Sequence, residues 1–248
     1  MQNTLRYDYT GDGRFLEGAD WFGCRPAGLQ LHFHDEAQVS VIWNGYRDYR
    51  IGPKQVRLYP GQLLIIPELR PHLALPSMHD EVRSVEFYLA PAALSLDTRL
   101  WLSNSDFAII EAPFLKRLAS CEVAELTVSC IADKIGSGRR PAPPISTPAK
   151  TALREVAAGN RGVSEAAGHL RYTREGFIRA FTREVGMTPN AYNINRRLNR
   201  ARQLLRSGDS LSEISHETGF SDQSHFGRSF LRHFGATPGH FRAAHSLR

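Results

Sequence analysis

The spacing of apolar and polar positions divides the chain into a strand-rich half and a helical half. In residues 29–90, short apolar runs such as 39–43 are separated by turn residues, which is typical of a barrel or sandwich of short strands. The pair Asn44-Gly45 predicts a tight hairpin, because both residues tolerate a positive φ. Residues 91–135 carry apolar side chains at a roughly helical spacing and predict helices that cover the barrel or pair with a second subunit.

A segment rich in glycine and proline separates the two halves. Residues 136–147 contain two glycines and three prolines, a composition that prevents regular structure. Pro148 follows Thr147 as a first-turn proline follows an N-cap, and so predicts the start of a new helix. We therefore expect one domain at 1–135, a linker at 136–147 and a second domain at 148–248.

The helical half contains an internal sequence repeat of two copies. Residues 177–181 match residues 226–230 at an offset of 49, and a Gly-x-Thr-Pro sequence follows both at the same offset. Residues 163–167 match residues 211–215 at an offset of 48, so the one-residue difference falls in the turn between the matched segments. A shared offset over so many positions predicts two copies of one helical motif.

Each copy has the parts of a helix-turn-helix. In the second copy, Ser210 and Glu213 form a capping box, Gly219 permits the left-handed corner between two helices, and phenylalanines recur every four residues over 226–234 as one buried stripe. Thr173 caps the corresponding helix of the first copy. The major groove of DNA admits one helix, whose N-terminal side chains meet the base edges, so the first turns of these two helices are predicted to read DNA.

Between the copies, residues 195–205 predict one long helix with an apolar face and five arginines, from Arg196 to Arg206, spread around it. Some of these arginines are expected to contact phosphates, which adds affinity and salt dependence without sequence choice. If both recognition helices enter the same face of the DNA, they lie about one turn, roughly 34 Å, apart.

Charge indicates a polyanion as the partner of the helical half. Residues 150–248 hold 16 Lys and Arg against 8 Asp and Glu, a net +8, whereas residues 1–149 hold 15 against 17, a net −2. Positive charge concentrated on a helical domain favours nucleic acid. We expect no membrane segment, because no apolar run approaches roughly 18 residues. The N-terminus shows no secretion signal, and three scattered cysteines favour a cytoplasmic location.

The second copy resembles the signature of AraC/XylS-type transcriptional regulators. The resemblance lies in Glu213-Ile214-Ser215, in Gly219-Phe220-Ser221-Asp222-Gln223 and in Thr237-Pro238. It implies a DNA-binding domain of two helix-turn-helix motifs joined by a linker helix, over about the last hundred residues. The first copy departs from the pattern at Gly176 and Ile178.

The residues predicted to contact DNA lie at the starts of the two recognition helices, with one on the linker helix. They are Thr173, Arg174, Glu175, Ile178, Arg179, Arg200, Ser221, Gln223, Ser224, His225 and Arg228.

Two short motifs in the strand-rich half resemble those of cupin barrels, which also serve as sensor domains in AraC-type regulators. They are His32-Phe33-His34 followed by Gln38, and Gly61, Pro67 and His72 at the spacing Gly-x5-Pro-x4-His. The positions that match the ligands of metal-binding cupins are the three histidines and Gln38, where those proteins usually have Glu. Because Gln38 removes a charged ligand, we expect no metal and no cofactor.

A barrel of this size can enclose one small ligand. The residues predicted to line its site are His32, His34, Gln38, Trp43, Tyr49, His72 and Phe87.

These patterns predict an α+β chain: an N-terminal cupin-like β-barrel with flanking helices, then an all-α domain of two helix-turn-helix motifs joined by a linker helix. The expected function is sequence-specific transcriptional regulation, not enzymatic, with a small-molecule effector in the barrel. The expected partners are double-stranded promoter DNA, RNA polymerase and a second copy of the chain bound through 91–135. One alternative is a cupin metalloenzyme fused to a DNA-binding tail, which bound metal and turnover would favour. Another is a nucleoid-type binder, which equal affinity for random DNA would favour.

Overall fold

The computed structural model describes residues 4–8, 15–23, 30–77, 82–89, 94–103, 105–117 and 163–246. We call the described part of 4–117 the strand domain and residues 163–246 the helical domain. The predicted linker at 136–147 and the predicted helix start at Pro148 lie outside the described residues.

The strand domain consists of two antiparallel sheets that face each other. Its elements are β1 (Thr4–Asp8), β2 (Phe15–Phe22), β3 (Ala37–Asn44), β4 (Arg47–Ile51), β5 (Lys54–Leu58), β6 (Gln62–Ile66), β7 (His72–Ala74), β8 (Arg83–Leu89), α1 (Leu96–Ser103), β9 (Ala108–Glu111) and a 3-10 turn (Pro113–Arg117). The large sheet has the order β1-β2-β8-β3-β6-β9, and the small sheet has the order β5-β4-β7.

The predicted barrel is not closed within the described residues. No ladder of hydrogen bonds joins the two sheets there, because β7 is three residues long and its free edge pairs only through an isolated bridge between His32 and His72. The predicted hairpin at Asn44-Gly45 is wrong as a hairpin: the turn is present, with φ 73° at Gly45, but it links β3 of one sheet to β4 of the other, and these two strands do not pair.

The apolar core lies on both faces of the large sheet. Between the sheets, Ile42 and Leu64 of the large sheet pack with Ile51 and Leu58 of the small one. On the opposite face a second cluster, which includes Phe87, packs with residues of α1. Alternating strand residues therefore serve two different cores.

The prediction of a helical segment over 91–135 is only partly correct in the described part of this range, and residues 118–135 lie outside the described residues. Residues 96–103 form α1, but Ala108–Glu111 forms β9, which pairs with β6 at the edge of the large sheet. The side chains of 108–111 alternate between buried and exposed. This period of two fits an edge strand better than a helix, and the helical spacing over the longer stretch concealed it.

The helical domain contains two helix-turn-helix motifs on one linker helix, as predicted. Its elements are α2 (Val163–His169), α3 (Arg174–Val185), α4 (Pro189–Ser207), α5 (Leu211–Glu217), α6 (Gln223–Phe234) and α7 (Pro238–Ser246). The capping box of Ser210 and Glu213 is present, and Gly219 turns the chain with φ 74°. The recognition helices are α3 and α6, and α4 joins the motifs.

Candidate functional site

The first recognition helix, α3, presents its opening turns to solvent. The Thr173 hydroxyl caps it and accepts a hydrogen bond from the Gly176 N–H at 3.1 Å. A Cβ atom at Gly176 would lie 2.9 Å from that hydroxyl, so a larger residue there requires a small shift of the Thr173 side chain. Ile178 is half-buried, while Phe177 and Phe181 are buried beneath the helix. The predicted contacts that stand exposed are Thr173, Arg174, Glu175 and Arg179.

The second recognition helix, α6, repeats this arrangement. Asp222 caps it by accepting a hydrogen bond from the His225 N–H at 2.7 Å. The rings of Phe226 and Phe230 lie 5.7 Å apart in the buried stripe, and those of Phe230 and Phe234 lie 4.6 Å apart. All five predicted contacts of this motif are exposed, namely Ser221, Gln223, Ser224, His225 and Arg228.

The arginines of α4 differ sharply in their surroundings. Arg200 is exposed and pairs with Glu217 at 2.9 Å. Arg197 donates a hydrogen bond to the Gly219 carbonyl at 3.0 Å and so supports the corner of the second motif. Arg202, by contrast, is only 1% exposed. Arg202 is therefore not one of the linker-helix arginines that can contact phosphates, because this side of α4 packs on the strand domain.

The structure brings together three of the predicted ligand residues, His32, His34 and His72, as one buried cluster. Their candidate ligand nitrogens all lie within 4.8 Å of one another. The Nδ1 atoms of His32 and His72 lie 2.7 Å and 2.9 Å from the carbonyls of Gln30 and Arg70. Each of these rings therefore donates from Nδ1 and keeps a lone pair on Nε2.

Burial lowers the pKa of all three histidines, and it lowers that of His72 to about 4. The neighbouring histidines lower the pKa of His32 and His34 further, and Arg202 does the same at His34. The cluster is therefore neutral at pH 7. Gln38 completes it at 2.9 Å from the Nε2 atom of His72. The Gln38 amide satisfies a neutral ring when its NH2 group points at that nitrogen.

The donor set of the cluster fits a divalent transition metal. Neutral imidazoles are ligands for such ions, and the backbone carbonyls orient two of the rings as in known sites. The Nε2 atom of His34 has no hydrogen-bond partner among the described residues. However, Arg202 places its charge 3.2 Å from the Nδ1 atom of His34. This charge opposes a cation, and the absence of a metal stays a prediction.

The other predicted ligand residues lie on two different faces of the large sheet. Gln38 and Tyr49 are on the side of the histidines, between the two sheets. Trp43 and Phe87 pack on the opposite face, in the cluster beside α1. The structure therefore does not bring these two aromatic residues together with the cluster, since alternation along β3 and β8 directs them away.

Two buried charged residues between the sheets were missed by the sequence reasoning. Arg47 is 1% exposed and Glu86 is 9% exposed. The Nε and Nη1 atoms of Arg47 have no hydrogen-bond partner among the described residues. Burial raises the pKa of Glu86, and the charge of Arg47 partly offsets this. The sequence signal that could have identified these two residues is a charged residue at an inward-facing position of a predicted strand.

The strand domain contributes a side chain to the core of the first motif. Phe33 is fully buried among Phe177, Phe181 and Tyr192 of the helical domain, and its ring lies 4.8 Å from that of Tyr192. Asn195 on α4 accepts a hydrogen bond from the Phe33 N–H at 2.6 Å. The two domains therefore share a hydrophobic core, and side chains of α4 are hydrogen-bonded to the Phe33 backbone.

A buried ion pair lies beside this shared core. Arg202 of α4 donates to the Glu36 carboxylate at 3.1 Å, and Arg206 lies 3.4 Å from the same group. The guanidinium of Arg202 also stacks 4.4 Å from the ring centre of Tyr88. Burial alone would raise the pKa of Glu36, but the two arginines outweigh it and hold that pKa below its usual value. Glu36 is therefore ionised at pH 7.

Comparison with known proteins gives two family matches that together cover most of the described residues. Residues 27–129 match the family described as an AraC-like ligand binding domain. Residues 166–244 match the family described as a helix-turn-helix domain. The two matches correspond to the strand domain and the helical domain.

Curated relatives match over about a third of the chain or less. The chain is 36% identical over 85 residues to the HTH-type transcriptional regulator CdhR of Pseudomonas aeruginosa. It is 42% identical over 67 residues to the regulator ExsA of the same species. These segments are 34% and 27% of this chain, and the chain spans about a quarter of the length of the relatives, 25% and 24%.

A solved structure of similar fold extends over the whole chain. ToxT from Vibrio cholerae O395 has a TM-score of 0.56, with 11% identity, over 100% of this chain and 98% of ToxT. One ToxT structure is described as bound to an unsaturated fatty acid. At this identity the likeness establishes a shared fold.

A helix that spans a membrane has to be about 20 residues long and largely apolar. None of the helices in the described ranges has both the length and the apolar character needed to cross a membrane.

Proposed function

Because the chain belongs to the AraC family, with an AraC-like ligand-binding domain followed by a helix-turn-helix domain, we propose that it is a sequence-specific DNA-binding transcriptional regulator controlled by a small molecule. The observation that carries this proposal is the pair of capped recognition helices whose opening turns are exposed on one linker helix. Double-stranded promoter DNA is the proposed partner, and RNA polymerase a further one. The proposed location is the cytoplasm.

The direct test is a binding assay with the full chain. Affinity for the DNA upstream of its own gene is compared with affinity for random DNA of equal length at matched salt, because phosphate contacts alone bind every sequence. A preference of about a thousandfold or more is expected for specific recognition. Equal affinity for both DNAs refutes the proposal in favour of a nucleoid-type binder. The metalloenzyme alternative is not favoured, because the named relatives are transcriptional regulators.

Replacing Gln223 with alanine is expected to cost about 1–3 kcal/mol of binding free energy, at particular base pairs only, if its amide reads a base edge. Arg174→Ala is expected to do the same in the first motif. The measurement is a binding titration against operators that carry single base-pair changes. Gln55, an exposed glutamine on the strand domain, supplies the matched control, Gln55→Ala. An unchanged base preference in Gln223→Ala removes this residue from the readout.

We propose that the effector binds between the sheets, at His32, His34, Gln38, Tyr49 and His72. The three histidines and Gln38 are polar, and Arg47 and Glu86 are buried between the same sheets, next to aliphatic side chains such as Ile51. A small molecule that carries hydrogen-bonding groups is therefore favoured over a purely aliphatic one. Trp43 and Phe87 face the other core, so their predicted contact with the effector would be indirect.

A thermal-shift screen of polar metabolites on the full chain tests this site. A ligand at 100 times its Kd adds about 2.7 kcal/mol of stability, and Tyr49→Phe is expected to weaken the shift. Trp43→Phe, on the opposite face of the sheet, is expected to keep it. A ligand whose shift survives Tyr49→Phe and disappears in Trp43→Phe places the effector elsewhere.

The predicted homodimer stays a prediction. In the described part of 91–135, three large apolar side chains are exposed: Leu96 at 63%, Ile109 at 39% and Phe114 at 43%. Their exposure supports a partner surface that includes this segment. Sedimentation equilibrium at micromolar concentration is expected to give a dimer that Leu96→Asp weakens, with Tyr59→Asp, an exposed aromatic outside this segment, as the control. A strictly monomeric wild type contradicts the prediction.

A further inference from the structure

One short segment of the strand domain, residues 31–36, is hydrogen-bonded both to β7 and to the linker helix α4. The two sets of bonds are made by neighbouring residues, His32 and Phe33. The His32 N–H donates to the His72 carbonyl at 3.0 Å, and the His72 N–H donates back at 2.8 Å. One residue later, the Phe33 N–H donates to Asn195 and the Phe33 carbonyl accepts from Asn199 at 3.1 Å, both on α4. The segment therefore joins β7 to the linker helix through its backbone.

The side chains of this segment point alternately to the two sides. His32 and His34 face His72, with ring centres 4.6 Å and 5.3 Å from it. Phe33, between them, enters the core of the first motif. Successive side chains of an extended segment lie on opposite sides, and they share one backbone. A displacement of the two histidines therefore moves Phe33 as well.

The same segment also contacts the linker helix and the second motif. His34 lies 3.2 Å from Arg202 and its ring centre is 5.9 Å from that of Phe234, at the end of α6. Glu36 pairs with Arg202 and Arg206. The first motif, the linker helix and the second motif thus meet within six residues of the strand domain.

This docking leaves the DNA-reading side chains exposed. Arg174, Arg179, Gln223 and Arg228 all remain accessible while the domains are in contact. The contact therefore does not mask the recognition helices. The contact between the domains instead fixes the position of each motif on α4. That position determines whether the two recognition helices fit two successive turns on one face of the DNA.

We propose that residues 31–36 form a coupling segment, which transmits a change at the histidine cluster to the relative placement of the two recognition helices. The inference rests on the proposed function, since it assigns the route by which an effector would control DNA binding. Phe33 and Glu36 contact the helical domain, His32 belongs to the cluster, and His34 does both, because it lies in the cluster and also contacts Arg202 and Phe234. An occupant of the cluster acts on DNA binding by moving the His32–Phe33–His34 backbone, without contacting DNA or α3.

Hydrogen exchange of the full chain tests the coupling without requiring an identified effector. His72→Asn alters the cluster at a residue whose hydrogen bonds and ring contacts given above all lie within the strand domain. If the segment couples the sites, this variant speeds amide exchange in α2 and α3 by about 5- to 150-fold, the range of typical coupling between sites. Unchanged exchange in α2 and α3 overturns the proposal.

Phe33→Ala tests the contact itself and is expected to speed exchange in α2 and α3 while the amides of β3 and β8 keep their wild-type rates. Phe33→Leu, which refills most of the space, is expected to restore the protection. The matched control is Phe87→Ala, a phenylalanine buried in the other core of the strand domain, which is expected to affect β3 and β8 instead. Equal acceleration in every element, including α6, means global unfolding and overturns the proposal.

The DNA assay separates this inference from the function on which it rests. A wild-type chain without preference for its own promoter refutes the proposed function, whatever the exchange rates are. A wild-type chain with that preference, but with α2 and α3 unaffected by His72→Asn, refutes only the coupling.

Discussion

Replacement of Arg202 with alanine is expected to lower the free energy of unfolding by about 3–5 kcal/mol, the usual cost of removing one member of a buried ion pair. The guanidinium is 1% exposed and lies 3.1 Å from the Glu36 carboxylate. Its loss leaves that buried carboxylate with the more distant Arg206 at 3.4 Å. The stacking on Tyr88 is lost as well. Urea denaturation of the full chain, followed by circular dichroism, gives the change in midpoint.

Arg200→Ala is the matched control, because Arg200 lies on the same helix and also pairs with a glutamate. Its pair with Glu217 is exposed on both sides, and such pairs contribute about 0.2–1 kcal/mol. The double variant Glu36→Gln with Arg202→Met is expected to recover part of the loss, since it removes both charges of the buried pair, while Arg206, which is 15% exposed, loses its contact with the carboxylate. Equal midpoints for Arg202→Ala and Arg200→Ala would contradict the buried pair.

The same two arginines mark the limit of what the sequence predicts. The repeat, the caps and the phenylalanine stripe are local patterns, so both helix-turn-helix motifs were predicted correctly from them. Arg200 and Arg202 are indistinguishable by such patterns, because helical periodicity describes one helix and not the surface that packs on it. The burial of Arg202 follows from Glu36, which is 166 positions away. Tertiary contacts over such distances leave no period in the sequence.

The candidate site shows the same division. Motif spacing predicted that His32, His34 and His72 belong together, and the structure places them within one cluster. Strand alternation was the information needed to exclude Trp43 and Phe87, but it requires the register of β3 and β8, which the pairing of strands determines. Pairing partners are chosen by the packing of the whole domain. The faces of the sheet therefore could not be assigned from the aromatic residues alone.

The buried histidines are expected to make the fold sensitive to acid. The pKa of His72 falls from its ordinary value of 6.5 to about 4 on burial, so below pH 6.5 the unfolded chain binds protons that the folded chain resists. The stabilisation is fully present above pH 6.5 and is lost as the pH falls toward 4. A shift of this size corresponds to a loss on the order of 3 kcal/mol from His72 alone. His32 and His34, whose pKa values are lowered in the same direction, add to it.

The measurement is the difference in unfolding free energy between wild type and His72→Asn, in buffer with a chelator, at pH 7 and at pH 4. Burial also raises the pKa of Asp35, Glu68 and Glu86. Taking the difference between the two proteins removes the effect of these carboxyl groups and leaves that of His72. Those carboxyl groups favour the folded chain as the pH falls, and they are present in both proteins. The advantage of the wild type is expected to shrink by about 3 kcal/mol over this range. An advantage that stays constant between pH 7 and pH 4 would mean that His72 titrates normally in the folded chain, and the buried neutral cluster would then be wrong.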